Sequence, residues 1–190
     1  MRKNVEKIID CYLALKRIPR TGWLQRGVTI PETVSSHAWG TAFLTMILAD
    51  RLRALGYDIS IEKALKIALI HDLHESIIGD IPSGSISKKM KDEIEKYAVD
   101  VLFSEIPEYK DLMVDFILQA SIESKIVRLA DLLDMALQAG EYLSAGFSKI
   151  REFSKVLDTI RSHELYFPLK DLVEDMLKTR WDFDEYCNHS

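Results

Sequence analysis

Residues 69–82 read LIHDLHESIIGDIP, and this stretch decides how the chain is understood. An apolar run ends in His71 and Asp72, and His74, Glu75 and Asp80 follow within nine positions. On a regular helix Glu75 lies four residues after His71 and three after Asp72, which puts all three on one face. One helical turn would then present an imidazole and a carboxylate to a metal, with a second carboxylate one turn on. Unpaired carboxylates are costly to bury, so a metal or a proton-transfer role would explain them. The blander alternative is a helix end with a solvated polar face.

Working outward, Ser60 caps the helix that carries the motif, predicted over residues 61–78. Gly79 ends it and Pro82 prevents a restart, so Asp80 lies just past the helix. Upstream, Thr33, Ser35 or Ser36 caps a helix running to about Leu55 and closed by Gly56, with His37 in its first turn. Trp39, Phe43, Leu44, Met46, Ile47 and Leu48 predict that this helix is largely buried. A histidine there reads as a satisfied core residue or as a ligand. Downstream, Ser121 reads as the cap of SIESKIVRLADLLDMALQAGEYL, where Ile126, Leu129, Ala130, Leu133 and Leu137 recur at helical spacing. Asp131 and Asp134 interrupt that stripe. Asp131 is a candidate buried carboxylate, with a solvated edge position as the equal alternative. Gly140 within the pattern allows close helix contact.

The first helix is expected from Asn4 to about Ile18, ended by Pro19. The loop that follows carries Lys16, Arg17, Arg20 and Arg26 around Trp23. It reads either as an anion-binding loop with an aromatic wall or as a surface loop whose Trp plugs the core. Residues 83–89 look mobile. A helix over about 89–104, with Met90, Ile94, Tyr97, Ala98, Val101 and Leu102 inward, is broken by Pro107. Another follows over 108–120. Beyond residue 149 two more helices are split by Pro168, and the polar tail gives His189 no role. No strand alternation appears. The expected fold is all-α: a single domain over residues 1–190 of about seven to nine helices, its core over about 4–165, with a C-terminal helix and tail over 168–190.

Composition narrows the function. Of 190 residues, 47% are hydrophobic and 29% charged, as in a soluble globular domain. A net charge of −5 argues against a nucleic-acid polymer as partner. Cys11 and Cys187 form neither a CxxC pair nor a disulfide framework, which suggests a cytoplasmic protein. No apolar run is long enough to span a membrane, and the N-terminus does not read as a signal peptide.

His37, His71, Asp72 and Asp131 come from three separate helices. Two imidazoles and two carboxylates suit one divalent ion, Mn, Co, Fe, Ni or Zn, with Mg less favoured by imidazole. Four protein ligands leave open positions for water and a substrate oxygen, as metal-assisted hydrolysis requires. The order H…HD…D resembles the HD-domain metal-dependent phosphohydrolases. LKRIPRTGW, PETVSSH, HDLHESIIGDIP and SKIVRLADLLDMALQAGEY together resemble the HD-domain 5′-deoxynucleotidases, including the branch known as HD domain-containing protein 2, over most of residues 13–143.

That resemblance implies removal of phosphate from deoxynucleoside 5′-monophosphates, with His37, His71, Asp72 and Asp131 holding the metal. It implies that Glu75 orients or deprotonates the attacking water or protonates the leaving group. Asp80 would assist at the reacting end or hold the sugar. Arg20, Trp23 and Arg26 would grip phosphate and nucleotide, and the protein would form a homodimer. This chain departs from the pattern at His74, which would line the pocket or add a ligand, and at Asp115 and Phe116, which only loosely echo an acidic aromatic stretch. The competing readings are another HD nucleotide hydrolase, acting on triphosphates or cyclic nucleotides, and a regulatory binding module that retains a metal.

Overall fold

Residues 2–82, 84–104 and 107–181 are described by a computed structural model of the chain. The tail with Cys187 and His189 therefore lies outside the described residues. The helices are α1 (Arg2–Leu15), α2 (Thr21–Gln25), α3 (Val34–Ala54), α4 (Ile61–Ile70), α5 (Glu75–Ile78), α6 (Lys88–Phe103), α7 (Pro107–Leu118), α8 (Ile122–Ser144), α9 (Lys155–Arg161) and α10 (Tyr166–Lys178), with a 3-10 helix at Ser148–Ser154 before α9. A single antiparallel bridge joins Pro19 and Thr33, and no strand is found among the described residues. The all-α expectation holds.

Two long helices, α3 and α8, form the centre, and α4 packs across both. Their starts are set locally. The Thr33 side chain accepts the Ser36 N–H, Ser60 accepts from Lys63, and Ser121 and Ser124 form a reciprocal capping box. Asp115 adds to the last of these by accepting both the N–H and the hydroxyl of Ser121. Glu123 accepts the Ser60 N–H at 2.9 Å, which fastens the start of α4 to the start of α8. Inside, Leu48 and Leu52 of α3 meet Ile126, Leu129 and Leu133 of α8, all fully buried. Each such side chain contributes roughly 1.5–3 kcal/mol by leaving water. Leu169, Val173 and Leu177 of α10 enter the same core, so the C-terminal helix is part of it.

Several expectations are corrected. The helix predicted over 61–78 is broken: α4 stops at Ile70, residues 71–74 form tight turns, and α5 is one turn long. Backbone bonds there run i to i+3, from Leu73 N–H to Ile70 C=O and from Glu75 N–H to Asp72 C=O, which is 3-10 geometry. The one-face argument for Glu75 on a regular helix therefore does not apply. Trp39, Phe43 and Met46 on α3 are exposed, with Trp39 and Phe43 stacked at 5.6 Å. On α6, Met90 and Tyr97 face solvent while Val99 and Phe103 are buried. Pro168 lies within the first turn of α10, where its missing N–H costs no helical bond. Helix α1 begins before Asn4 and ends at Leu15.

Candidate metal centre

His37 stands in the first turn of α3 and is fully buried, facing α8. Its Nδ1 lies 2.7 Å from Oδ2 of Asp134. His71 directly follows α4, and its Nδ1 lies 2.7 Å from the carbonyl of Ala68. A carbonyl or carboxylate oxygen only accepts, so each Nδ1 is a donor and each Nε2 is the ring atom left to turn toward a cation. The two Nε2 atoms face each other at 3.4 Å. Asp72 Oδ2 lies 3.3 Å from His71 Nε2 and 3.6 Å from His37 Nε2, and Asp131 Oδ1 lies 3.2 Å from His37 Nε2.

Ligand bonds of about 2.0–2.2 Å place neighbouring donor atoms roughly 2.8–3.6 Å apart in tetrahedral or octahedral shells. The separations of 3.2–3.6 Å fall in that range. The donor set and spacing of His37, His71 and Asp72, whose ligand atoms all lie within 4.8 Å of one another, fit a divalent cation, and Asp131 adjoins this group through its 3.2 Å approach to His37 while its other oxygen pairs with Arg128. The protein's own electrostatics ask for positive charge at the same point. Burial and Arg20 push the His37 imidazole down, but its hydrogen bonds to Asp131 and Asp134 prevail and hold it up at about 10. Burial pushes Asp72 up, yet His71, Arg20 and His37 hold it well below the carboxylate range. Asp131 is likewise lowered by His37 and Arg128 against its burial.

Three further groups adjoin this cluster. Arg20 Nη1 sits 3.0 Å from Asp72 Oδ2; despite burial, Asp72 and Asp80 keep its guanidinium charged. Glu75 is 8% exposed, and its Oε2 has no hydrogen-bond partner among the described residues. Burial, with Asp72 and Asp80 nearby, pushes its carboxyl up to about 10. Asp80 turns back toward the preceding loop and accepts the Thr21 N–H at the start of α2. That bond fastens the loop bearing Arg20 to the chain just past α5.

The family model for the HD domain matches residues 13–166. The chain belongs to the HD-domain family. Among curated proteins, it is 38% identical over 134 residues to the 5′-deoxynucleotidase HDDC2 of Xenopus laevis, covering 67% of this chain and 64% of that protein. It is 35% identical over 149 residues to the 5′-deoxynucleotidase hdd1 of Schizosaccharomyces pombe, covering 73% and 72%. The match thus spans less than two thirds of the frog relative's length. Among solved structures, the PH0347 protein of Pyrococcus horikoshii OT3 aligns with a TM-score of 0.82 at 39% identity, covering 92% of this chain and 98% of that one.

Not every predicted residue reaches the HD centre. Trp23 is 2% exposed and packs against Tyr142 and Phe153, at 5.4 and 4.4 Å between ring centroids. Its indole N–H donates to Glu32 at 2.9 Å. It plugs the core, and no face is left for a base to stack on. Arg26 also turns away: its guanidinium pairs with Glu152 and lies 5.0 Å over the ring of Phe153. His74 is buried toward α6, 3.9 Å from Glu95, and forms no part of the ligand cluster. The sequence reading passed over Asp134 and Glu32, which gather on the far side of His37, their oxygens and its ring nitrogen within 4.8 Å of one another. Asp134 had a signal: it follows Asp131 by three residues and so shares its helix face. Glu32, ahead of the cap of α3, had none.

Proposed function

We propose that this HD-domain protein is a metal-dependent phosphomonoesterase that removes phosphate from deoxynucleoside 5′-monophosphates. The observation that carries the reading is the meeting of His37, His71 and Asp72 within 4.8 Å of one another, with Asp131 of α8 3.2 Å from His37. The names of the frog and fission-yeast relatives supply the substrate class.

His37, His71, Asp72 and Asp131 hold one divalent ion, and the mixed nitrogen and oxygen donors favour Mn, Co, Fe, Ni or Zn over Mg. When bound, that ion lowers the pKa of a water and polarises the phosphoryl group. Arg20, buried and charged beside Asp72, binds phosphate oxygens and offsets their charge. Hydrolysis forms a bond from water oxygen to phosphorus, breaks the bond from phosphorus to O5′, and leaves the alkoxide needing a proton. Glu75, buried beside the cluster with a partnerless Oε2, is the carboxyl placed to deliver that proton to O5′. The proton released by the attacking water then restores the carboxyl. Asp80 holds the Arg20 loop in place through Thr21.

The remaining parts of the reading are a cytoplasmic site of action and a homodimer. The exposed apolar residues Trp39, Phe43 and Met46 on α3 favour the latter. No helix among the described residues is long and apolar enough to cross a membrane.

The test is phosphate release from deoxynucleoside and ribonucleoside 5′-monophosphates by chelator-stripped protein with added Mn, Co, Mg or Zn. Metal-dependent release from the deoxy compounds supports the proposal. No release from any monophosphate refutes it, and hydrolysis of triphosphates or cyclic nucleotides instead would assign another HD chemistry.

A further inference from the structure

Helix α3 contains a glycine, Gly40, three residues after His37 and less than two turns from its start. Glycine is disfavoured within helices, and no positive φ calls for one here. The reason lies across the seam with α8. A Cβ built on Gly40 would lie 2.0 Å from Oδ1 of Asp134, 2.8 Å from its Cγ and 3.3 Å from its Oδ2. Those three are the nearest atoms, and all belong to one carboxylate. The missing methyl is the space in which that carboxylate sits.

Asp134 uses the space to reach His37. Its Oδ2 stands 2.7 Å from Nδ1, and its side chain is 18% exposed against a fully buried imidazole. His37 is flanked by carboxylates on both ring nitrogens: Asp72 and Asp131 on Nε2, Asp134 and Glu32 near Nδ1. Without an acceptor fixed at Nδ1, the ring proton is free to move to Nε2, where it would face the metal cluster. With Asp134 in place a proton stays on Nδ1 and the ring plane is pinned, so Nε2 is the atom that faces Asp72 and Asp131.

We infer that Asp134 is a positioning residue for the metal ligand His37, and that Gly40 sets metal affinity by making room for it. The inference rests on the proposed metal centre. Glycine at 40 and aspartate at 134 act as one device, so each is without purpose in the absence of the other.

The experiment is a four-way comparison of wild type, Gly40→Ala, Asp134→Ala and the double variant, with Asp134→Asn as a conservative control. Two quantities are read on the whole chain: Co affinity, by competition with a coloured chelator and by the visible spectrum of the Co-loaded protein, and the thermal midpoint in chelator. Gly40→Ala in the wild-type background is expected to weaken Co binding by about 10–100-fold, the range found when partners behind metal ligands are lost. It should also shift the Co spectrum and lower the midpoint. In the Asp134→Ala background the same change has no carboxylate to strike. There it should leave Co binding unaltered and raise the midpoint, because alanine is the better helix former. Asp134→Asn keeps an acceptor for Nδ1 and should retain more affinity than Asp134→Ala.

If Gly40→Ala leaves Co affinity within twofold of wild type, or lowers the midpoint equally with and without Asp134, the inference fails. If wild-type protein takes up no Co, the metal reading itself fails.

Discussion

Trp23→Ala separates a core residue from a substrate wall. The indole is 2% exposed, packs edge-on against Tyr142 and tilted against Phe153, and donates to Glu32. Truncating a buried Trp costs roughly 3–5 kcal/mol through lost transfer and the cavity left behind. Removing the N–H also leaves the largely buried Glu32 carboxylate without a donor, a loss of about 1–3 kcal/mol. These terms overlap, because the cavity admits water to Glu32, so about 4 kcal/mol is expected. In a domain of this length about 2–4 °C accompanies each kcal/mol, giving a drop of about 8–16 °C in thermal midpoint. The assay is thermal melting together with urea unfolding, where the midpoint should fall with an unchanged slope. A variant that melts within about 2 °C of wild type but shows a raised KM for a deoxynucleotide would refute the burial argument and restore the stacking role.

Other outcomes follow from the same geometry. Glu75→Gln should bind Co as wild type does yet lose most turnover, checked by metal titration beside phosphate release; near-normal activity would remove Glu75 from proton transfer. Gly140→Ala places a methyl 2.6 Å from the Arg180 carbonyl oxygen. It should cost about 1–3 kcal/mol in urea unfolding by prising the segment just past α10 from α8. Asp115 gives a pH signature. Burial pushes its carboxyl up, but bonds from Lys63 and Ser121 outweigh that and hold it below its ordinary value. A carboxylate lowered on folding contributes stability that is fully present above its unfolded pKa and is lost as pH falls through its folded pKa. Asp115→Asn should therefore reduce the midpoint at neutral pH and flatten the decline below about pH 4, seen by melting across pH.

Much of this was legible in the chain because it was local. Thr33, Ser60 and Ser121 announced α3, α4 and α8, and apolar spacing gave their inner faces. The four donor residues stood out by type, since His and Asp beside apolar stripes need an explanation. What failed to show was set by distant partners. An aromatic among cations reads the same whether it stacks on a base or plugs a core; Trp23 is decided by Tyr142 and Phe153, over a hundred positions away. Residues 71–74 are compatible with i+4 and i+3 bonding alike, and nothing local in the sequence chooses between them. Asp134 looked like a twin of Asp131 until α3 brought His37 to it. Trp39 and Phe43 have the residue types of a core and lie outside it, because α3 presents its opposite side to α8.

Asp131 stands 94 positions after His37, and the pair are 3.2 Å apart. His71 and Asp72 come from between them in the chain. A cation held by these groups would close two long loops at once, as a cross-link does. The described residues contain one cysteine, Cys11, and it is free. The ion would then be the staple of the bundle, joining the start of α3, the end of α4 and the middle of α8. Chelation should therefore shorten the lifetime of the folded chain against a protease, and added metal should lengthen it even where no substrate is present.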